Sequence, residues 1–107
     1  MQINIRKKGN HTIIDVNGEV NYFNIENFKK TLLHIAEGDT QSVIVNMENI
    51  EAIDSSGIGV IISSYKKMQK RDGSFALLNV NQNIMALLTL STIDKFLEIY
   101  SSEEELE

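Results

Sequence analysis

The sequence predicts an α/β domain in which helices cover a mixed β-sheet, and three observations lead there. Short apolar, β-branched runs alternate along the chain with segments of helical periodicity. The first two strand-like runs are separated only by a tight turn, which requires an antiparallel pair. Every later pair is separated by a helical segment, the kind of crossover that parallel neighbours need. The predicted order is β-β-α-β-α-β-α-β with a short C-terminal helix.

The elements follow in turn. Ile3 and Ile5 alternate with polar residues, Lys8-Gly9-Asn10 supplies turn chemistry, and Thr12-Ile13-Ile14-Asp15-Val16 resumes an extended pattern that Gly18 is expected to end. Asn24 is the expected N-cap of a helix carrying Ile25, Phe28, Leu32, Ile35 and Ala36, with Gly38 as its stop. Ser42-Val43-Ile44-Val45-Asn46 reads as a buried strand. Met47 to Ile53 then leads to Asp54-Ser55-Ser56-Gly57 and a strong helix through Val60, Ile61, Ser64, Tyr65 and Met68. Lys66, Lys67, Lys70 and Arg71 suit its negative end, and Asp72-Gly73 closes it. Phe75-Ala76-Leu77-Leu78 is a strand, and Asn81 or Gln82 opens a helix through Ile84, Leu87 and Leu88. Phe96-Leu97-Glu98-Ile99-Tyr100 is the last strand, and Ser102 caps a final turn rich in glutamate.

At 107 residues one core is expected, without linker, repeat or low-complexity segment to mark a second domain. The 42% hydrophobic and 23% charged residues are ordinary for a soluble globular chain. Ten Lys+Arg against 15 Asp+Glu leave a net charge of −5, which repels phosphate backbones and anionic lipid, so neither nucleic acid nor membrane is an expected partner. No Cys is present, which excludes disulfides and thiolate metal sites and points to a reducing, cytoplasmic setting.

Chemistry concentrates in Ile53-Asp54-Ser55-Ser56-Gly57-Ile58-Gly59, where a carboxylate and two hydroxyls meet the positive end of a helix. Their oxygens can accept from first-turn N–H groups, and the two glycines keep bulk away, leaving the turn open to a protein or a phosphate. On the residues alone a plain helix cap is the readier account of this segment, capping being so common. It is no nucleophile elbow, because the first Gly of Gly-x-Ser-x-Gly is missing. Gly57-Ile58-Gly59 lacks the third glycine of a dinucleotide fingerprint, and no Gly-Lys-Ser/Thr exists for a P-loop, so no cofactor is expected. His11 and His34 have no metal-ligand spacing, and no catalytic residues are assigned. Tyr22 and Phe23 are expected to pack in the core or at its rim, and Glu103 to Glu107 to be a solvated end.

The stretch Ile53-Asp54-Ser55-Ser56-Gly57-Ile58-Gly59-Val60 resembles the signature of STAS-domain anti-sigma factor antagonists. Gly18-Glu19-Val20, Val43-Ile44-Val45-Asn46-Met47 and Asp72-Gly73 fall where that family has them, so the likeness spans most of the chain, residues 1–107 forming one STAS domain. The resemblance implies a non-enzymatic switch. An unphosphorylated antagonist binds an anti-sigma factor that is also its serine kinase, a sigma factor is released, and phosphorylation of a signature serine ends the complex until a metal-dependent serine phosphatase resets it. By position that serine is Ser55, with Ser56 as the neighbour, and Asn21, Asp54, Ser55, Ser56, Gly57, Ile58 and Gly59 would meet the partner. The chain departs from the family at Asn21, where an acidic residue is common, which bears on partner choice. A non-switching STAS module, a scaffold or transporter-associated subunit, is the alternative, and a nucleotide or small-molecule module a more distant one.

Overall fold

A computed structural model describes residues 1–106; Glu107, the last of the acidic run, lies outside the described residues. β1 (Gln2–Lys8) and β2 (His11–Val20) form the opening antiparallel hairpin around Gly9-Asn10, with Gly9 at φ +59°. Then come α1 (Ile25–Glu37), β3 (Ser42–Asn46), β4 (Ile50–Ile53), α2 (Ser55–Lys70), β5 (Ser74–Leu78), α3 (Gln82–Leu90) and β6 (Glu98–Tyr100). Single 3-10 turns occupy Ile93–Lys95 and Glu103–Glu105. The sheet runs β1-β2-β3-β5-β6, and every pairing after the hairpin is parallel, as expected of an α/β domain with a mixed sheet.

The structure adds a strand to the predicted order. β4 pairs in parallel with β2 at Gly18–Val20, while β3 pairs with β2 at Thr12–Asp15. Gly18 therefore does not end its strand. It sits at φ +98°, where the register shifts, and lets β2 pass from one partner to the next. A Cβ there would lie 3.6 Å from the Met1 backbone, so the glycine also admits a close approach. The last strand is shorter than predicted, because Thr92 at φ +59° starts the 3-10 turn that carries Phe96 out of the sheet. Asn24 holds the N-cap position of α1, but its side chain points to the preceding loop and makes no cap bond. Asp72, not Gly73, takes the left-handed turn after α2; a Cβ on Gly73 would press on the flexible end of Met68, at 2.7 Å from its Cε, and lie 3.3 Å from the Gln41 carbonyl.

The main core lies between one sheet face and the three helices. Phe28 and Leu32 of α1, Ile61 and Met68 of α2, and Leu88 of α3 are all fully buried against strand residues such as Ile14, Val45 and Leu77. Each such side chain contributes roughly 1.5–3 kcal/mol by leaving water. A smaller cluster of Ile13, Ile44, Ala76 and Leu78 occupies the opposite face, where Tyr100 and Leu106 pack on it. The centre of β3, Val43-Ile44-Val45, is thus continuously apolar because it is covered on both sides.

The cover over that second face is tied down by charge. Arg6 Nε donates to Asp15 Oδ2 at 2.7 Å, its other end pairs with Glu103, and Lys8 Nζ donates to the Glu103 carbonyl at 3.3 Å. Glu105 Oε1 accepts from the Ser101 and Ser102 N–H groups, as the expected cap requires. The acidic end is therefore not simply solvated. Arg6 holds the Glu103 carboxyl below its usual range, and although burial raises Asp15, Arg6 and Asn46 outweigh it and lower that carboxyl too.

Candidate functional site

β4 brings the chain to Asp54, whose N–H donates to the Val20 carbonyl at 3.1 Å and whose extended backbone makes it the N-cap of α2. Asp54 Oδ1 accepts from the Ser56 N–H at 3.0 Å and the Gly57 N–H at 3.4 Å, and the Ser56 hydroxyl donates to the same oxygen. Asp54 Oδ2 accepts from the Tyr22 N–H at 2.9 Å. One carboxylate thus satisfies the first turn of α2 and ties it to the β2–α1 loop. The Ser56 hydroxyl, then the Tyr22 N–H, hold the Asp54 carboxyl below its ordinary value, so the charged form persists at neutral pH.

The two serines differ in kind. Ser55 is exposed, and among the described residues its hydroxyl makes no hydrogen bond; Ser56 is half-buried and bound to Asp54. The oxygens of Asp54 serve Ser56, Gly57 and Tyr22, so no base is held against Ser55. What the arrangement offers is an accessible hydroxyl at a helix end that favours negative charge, suited to accepting a phosphoryl group rather than to attacking a substrate.

The seven residues expected to meet a partner separate into two groups. Gly57 is buried, and a Cβ on it would sit 2.5 Å from Ile53 Cγ1 and 3.0 Å from a Val20 methyl. Ile58 is 7% exposed and belongs to the core. Of the turn, Asp54, Ser55, Gly59 and part of Ser56 are open to solvent, with Gly57 and Ile58 beneath them. Gly59 is exposed, and a Cβ on it would meet nothing within 4 Å.

Asn21 joins this surface through the neighbouring loop. Its Oδ1 accepts from the Phe23 N–H at 2.9 Å, and its N–H donates to Asn24 Oδ1, also at 2.9 Å. The amide does the turn work that an Asp would do, without the charge. The turn displays Tyr22, 72% exposed, and Phe23, 93% exposed, edge to face with ring centres 5.7 Å apart. The sequence suggested packing in the core or at its rim, and neither ring is held there. Adjacent aromatics outside any apolar periodicity were the signal for this. Beside them a groove of about 440 Å³ runs between α1 and α2, lined by Tyr22, Ile25, Lys29, Leu33, Gly59 and Val60 among others.

The histidines stand elsewhere. His11 Nδ1 is 2.7 Å from Ser42 Oγ at the start of β2, and His34 is exposed on α1. Among the described residues no three His, Cys, Asp or Glu side chains are grouped to hold a metal ion, and no helix is long and apolar enough to cross a membrane.

This mixed sheet, with its serine turn at the head of α2, is that of a STAS domain, and the chain belongs to that family because the STAS domain model matches residues 2–106. Among its relatives are anti-sigma factor antagonists. The chain is 26% identical over 104 residues to the anti-sigma F factor antagonist of Paenibacillus polymyxa, covering 96% of this chain and 89% of that protein. It is likewise 26% identical over 106 residues to the anti-sigma-B factor antagonist of Bacillus subtilis, covering 97% and 96%. The crystal structure of TM1081 from Thermotoga maritima superposes with a TM-score of 0.90 at 26% identity, covering 96% of this chain and 89% of that one.

Proposed function

We propose that this chain is an anti-sigma factor antagonist, a single STAS domain over residues 1–107, that works by binding and not by catalysis. Its unphosphorylated form binds an anti-sigma factor that is also a serine kinase and so frees a sigma factor. Phosphorylation of Ser55 ends the complex, and a serine phosphatase restores it. No cofactor, nucleic acid or membrane enters the cycle, which suits a cytoplasmic regulator. The observation that carries the reading is the contrast between the serines: Ser55 is exposed and unbonded, Ser56 engaged by Asp54.

A phosphoserine carries about −1.5 to −2 charges, and although Asp54 already takes the Ser56 and Gly57 N–H groups, the dipole of the helix N-terminus favours it at exposed Ser55. The domain itself therefore tolerates the phosphate. The complex does not, because the new charge must lose its water and finds no paired cation at the interface, which costs several kcal/mol. After incubation of the chain with its kinase and ATP, mass spectrometry should find one phosphate on the wild type and none on Ser55→Ala. Equal labelling of both would remove Ser55 from the account and direct attention to Ser56.

Asn21 supports a second reading. With no carboxylate at that position, the same face suits a non-switching module in a scaffold or beside a transporter. Co-purification with such an assembly, together with a lack of phosphate on Ser55 in the cell, would favour it.

A further inference from the structure

Along α2 the residues Ile62, Tyr65, Lys66 and Gln69 recur at i, i+3, i+4 and i+7 and so form one stripe, which continues the line of Ser55 and Gly59 down the helix. Across from this stripe, Ile93 and Phe96 of the turn that follows α3 complete a groove of about 500 Å³. That volume is in the range of small-molecule sites, and the lining has their usual make-up, apolar and aromatic walls with few polar groups.

One feature shows that the fold leaves this surface open: Phe96 is 66% exposed, since the 3-10 turn at Ile93–Lys95 takes it off the line of β6.

The charge of the groove selects the ligand. Ser91 is its remaining lining residue, so the wall carries one cation, Lys66, and no carboxylate. Among the described residues Lys66 has no acidic partner, whereas its neighbour Lys67 lies 3.9 Å from Glu37. An apolar slot with an uncompensated ammonium at its wall fits a molecule with an apolar tail and an anionic head.

We propose that this groove binds a medium-chain carboxylate, its tail between Tyr65 and Phe96 and its head on Lys66, about two to three turns of α2 beyond Ser55. Decanoate, kept below its micelle-forming concentration, is the probe, titrated into the full chain by NMR and calorimetry. Saturable one-site binding is expected, with shifts confined to Ile62, Tyr65, Ile93, Phe96 and their neighbours. Lys66→Met should weaken decanoate about tenfold while leaving decanol unchanged, and Phe96→Ser should weaken both. Both side chains are exposed, so both variants should fold. Non-saturating shifts, shifts elsewhere on the surface, or equal loss of decanoate and decanol in Lys66→Met would overturn the proposal.

Discussion

Gly57 and Gly59 stand two positions apart in one helix and are glycine for different reasons. At Gly57 the fold demands it, because a methyl group would drive into Ile53 and Val20. At Gly59 the fold asks for nothing, although a helical glycine costs about 1 kcal/mol relative to alanine. Gly57→Ala should therefore destabilise the domain by about 1–3 kcal/mol in urea denaturation. Gly59→Ala should stabilise it by up to about 1 kcal/mol yet weaken binding to the anti-sigma factor, if that position is kept bare for the partner's approach. A Gly59→Ala variant that is more stable and binds as well as wild type would show the glycine to have no part in recognition. The Asp-Ser-Ser-Gly turn was legible in the sequence, and the family resemblance selected Ser55. That Ser56 alone is tied to Asp54 was not legible, since it depends on which way two adjacent hydroxyls turn in space. The exposure of Tyr22 and Phe23 ran against the general tendency of aromatics to be buried.

At the scale of elements, periodicity carried most of the fold. β3, α2 and β5 lie where their apolar patterns put them, because each has enough residues for its pattern to be read. β4 escaped because Ile50-Glu51-Ala52-Ile53 is four residues long with its apolar positions three apart, and only pairing with β2 beyond Gly18 makes it a strand. The same long-range logic hid the role of Glu103, whose partners Arg6 and Lys8 lie almost the whole chain away. Arg6 joins Asp15 and Glu103, so Arg6→Ala should cost about 1 kcal/mol, a solvent-screened value for partly exposed pairs. Both carboxyls have folded pKa values below their unfolded ones, so their stabilisation is present above the unfolded values of 3.8 and 4.5 and is lost as pH falls through the lower folded values. Melting temperature should drop over that acid range in wild type and drop less steeply in Arg6→Ala. Parallel curves would show that the clamp contributes nothing.

On the function proposed above, the whole molecule works by displaying a charge change and not by changing shape. Its radius of gyration is 12.5 Å, close to the roughly 13 Å expected of a folded chain this long. One sheet face is closed by three helices and the other by the C-terminal segment, so the start of α2 projects from a packed core. A phosphate on Ser55 would add negative charge to a chain already at −5, without a buried contact to break. The central claim is therefore that phosphorylation acts on the complex and leaves the fold alone. Calorimetric titration of the purified anti-sigma factor kinase with unmodified and Ser55-phosphorylated chain, alongside the melting temperature of each, tests it directly. Affinity should fall about a hundredfold or more while the two forms melt within a few degrees of each other. Equal affinities, or a phosphorylated chain that melts far below the unmodified one, would contradict it.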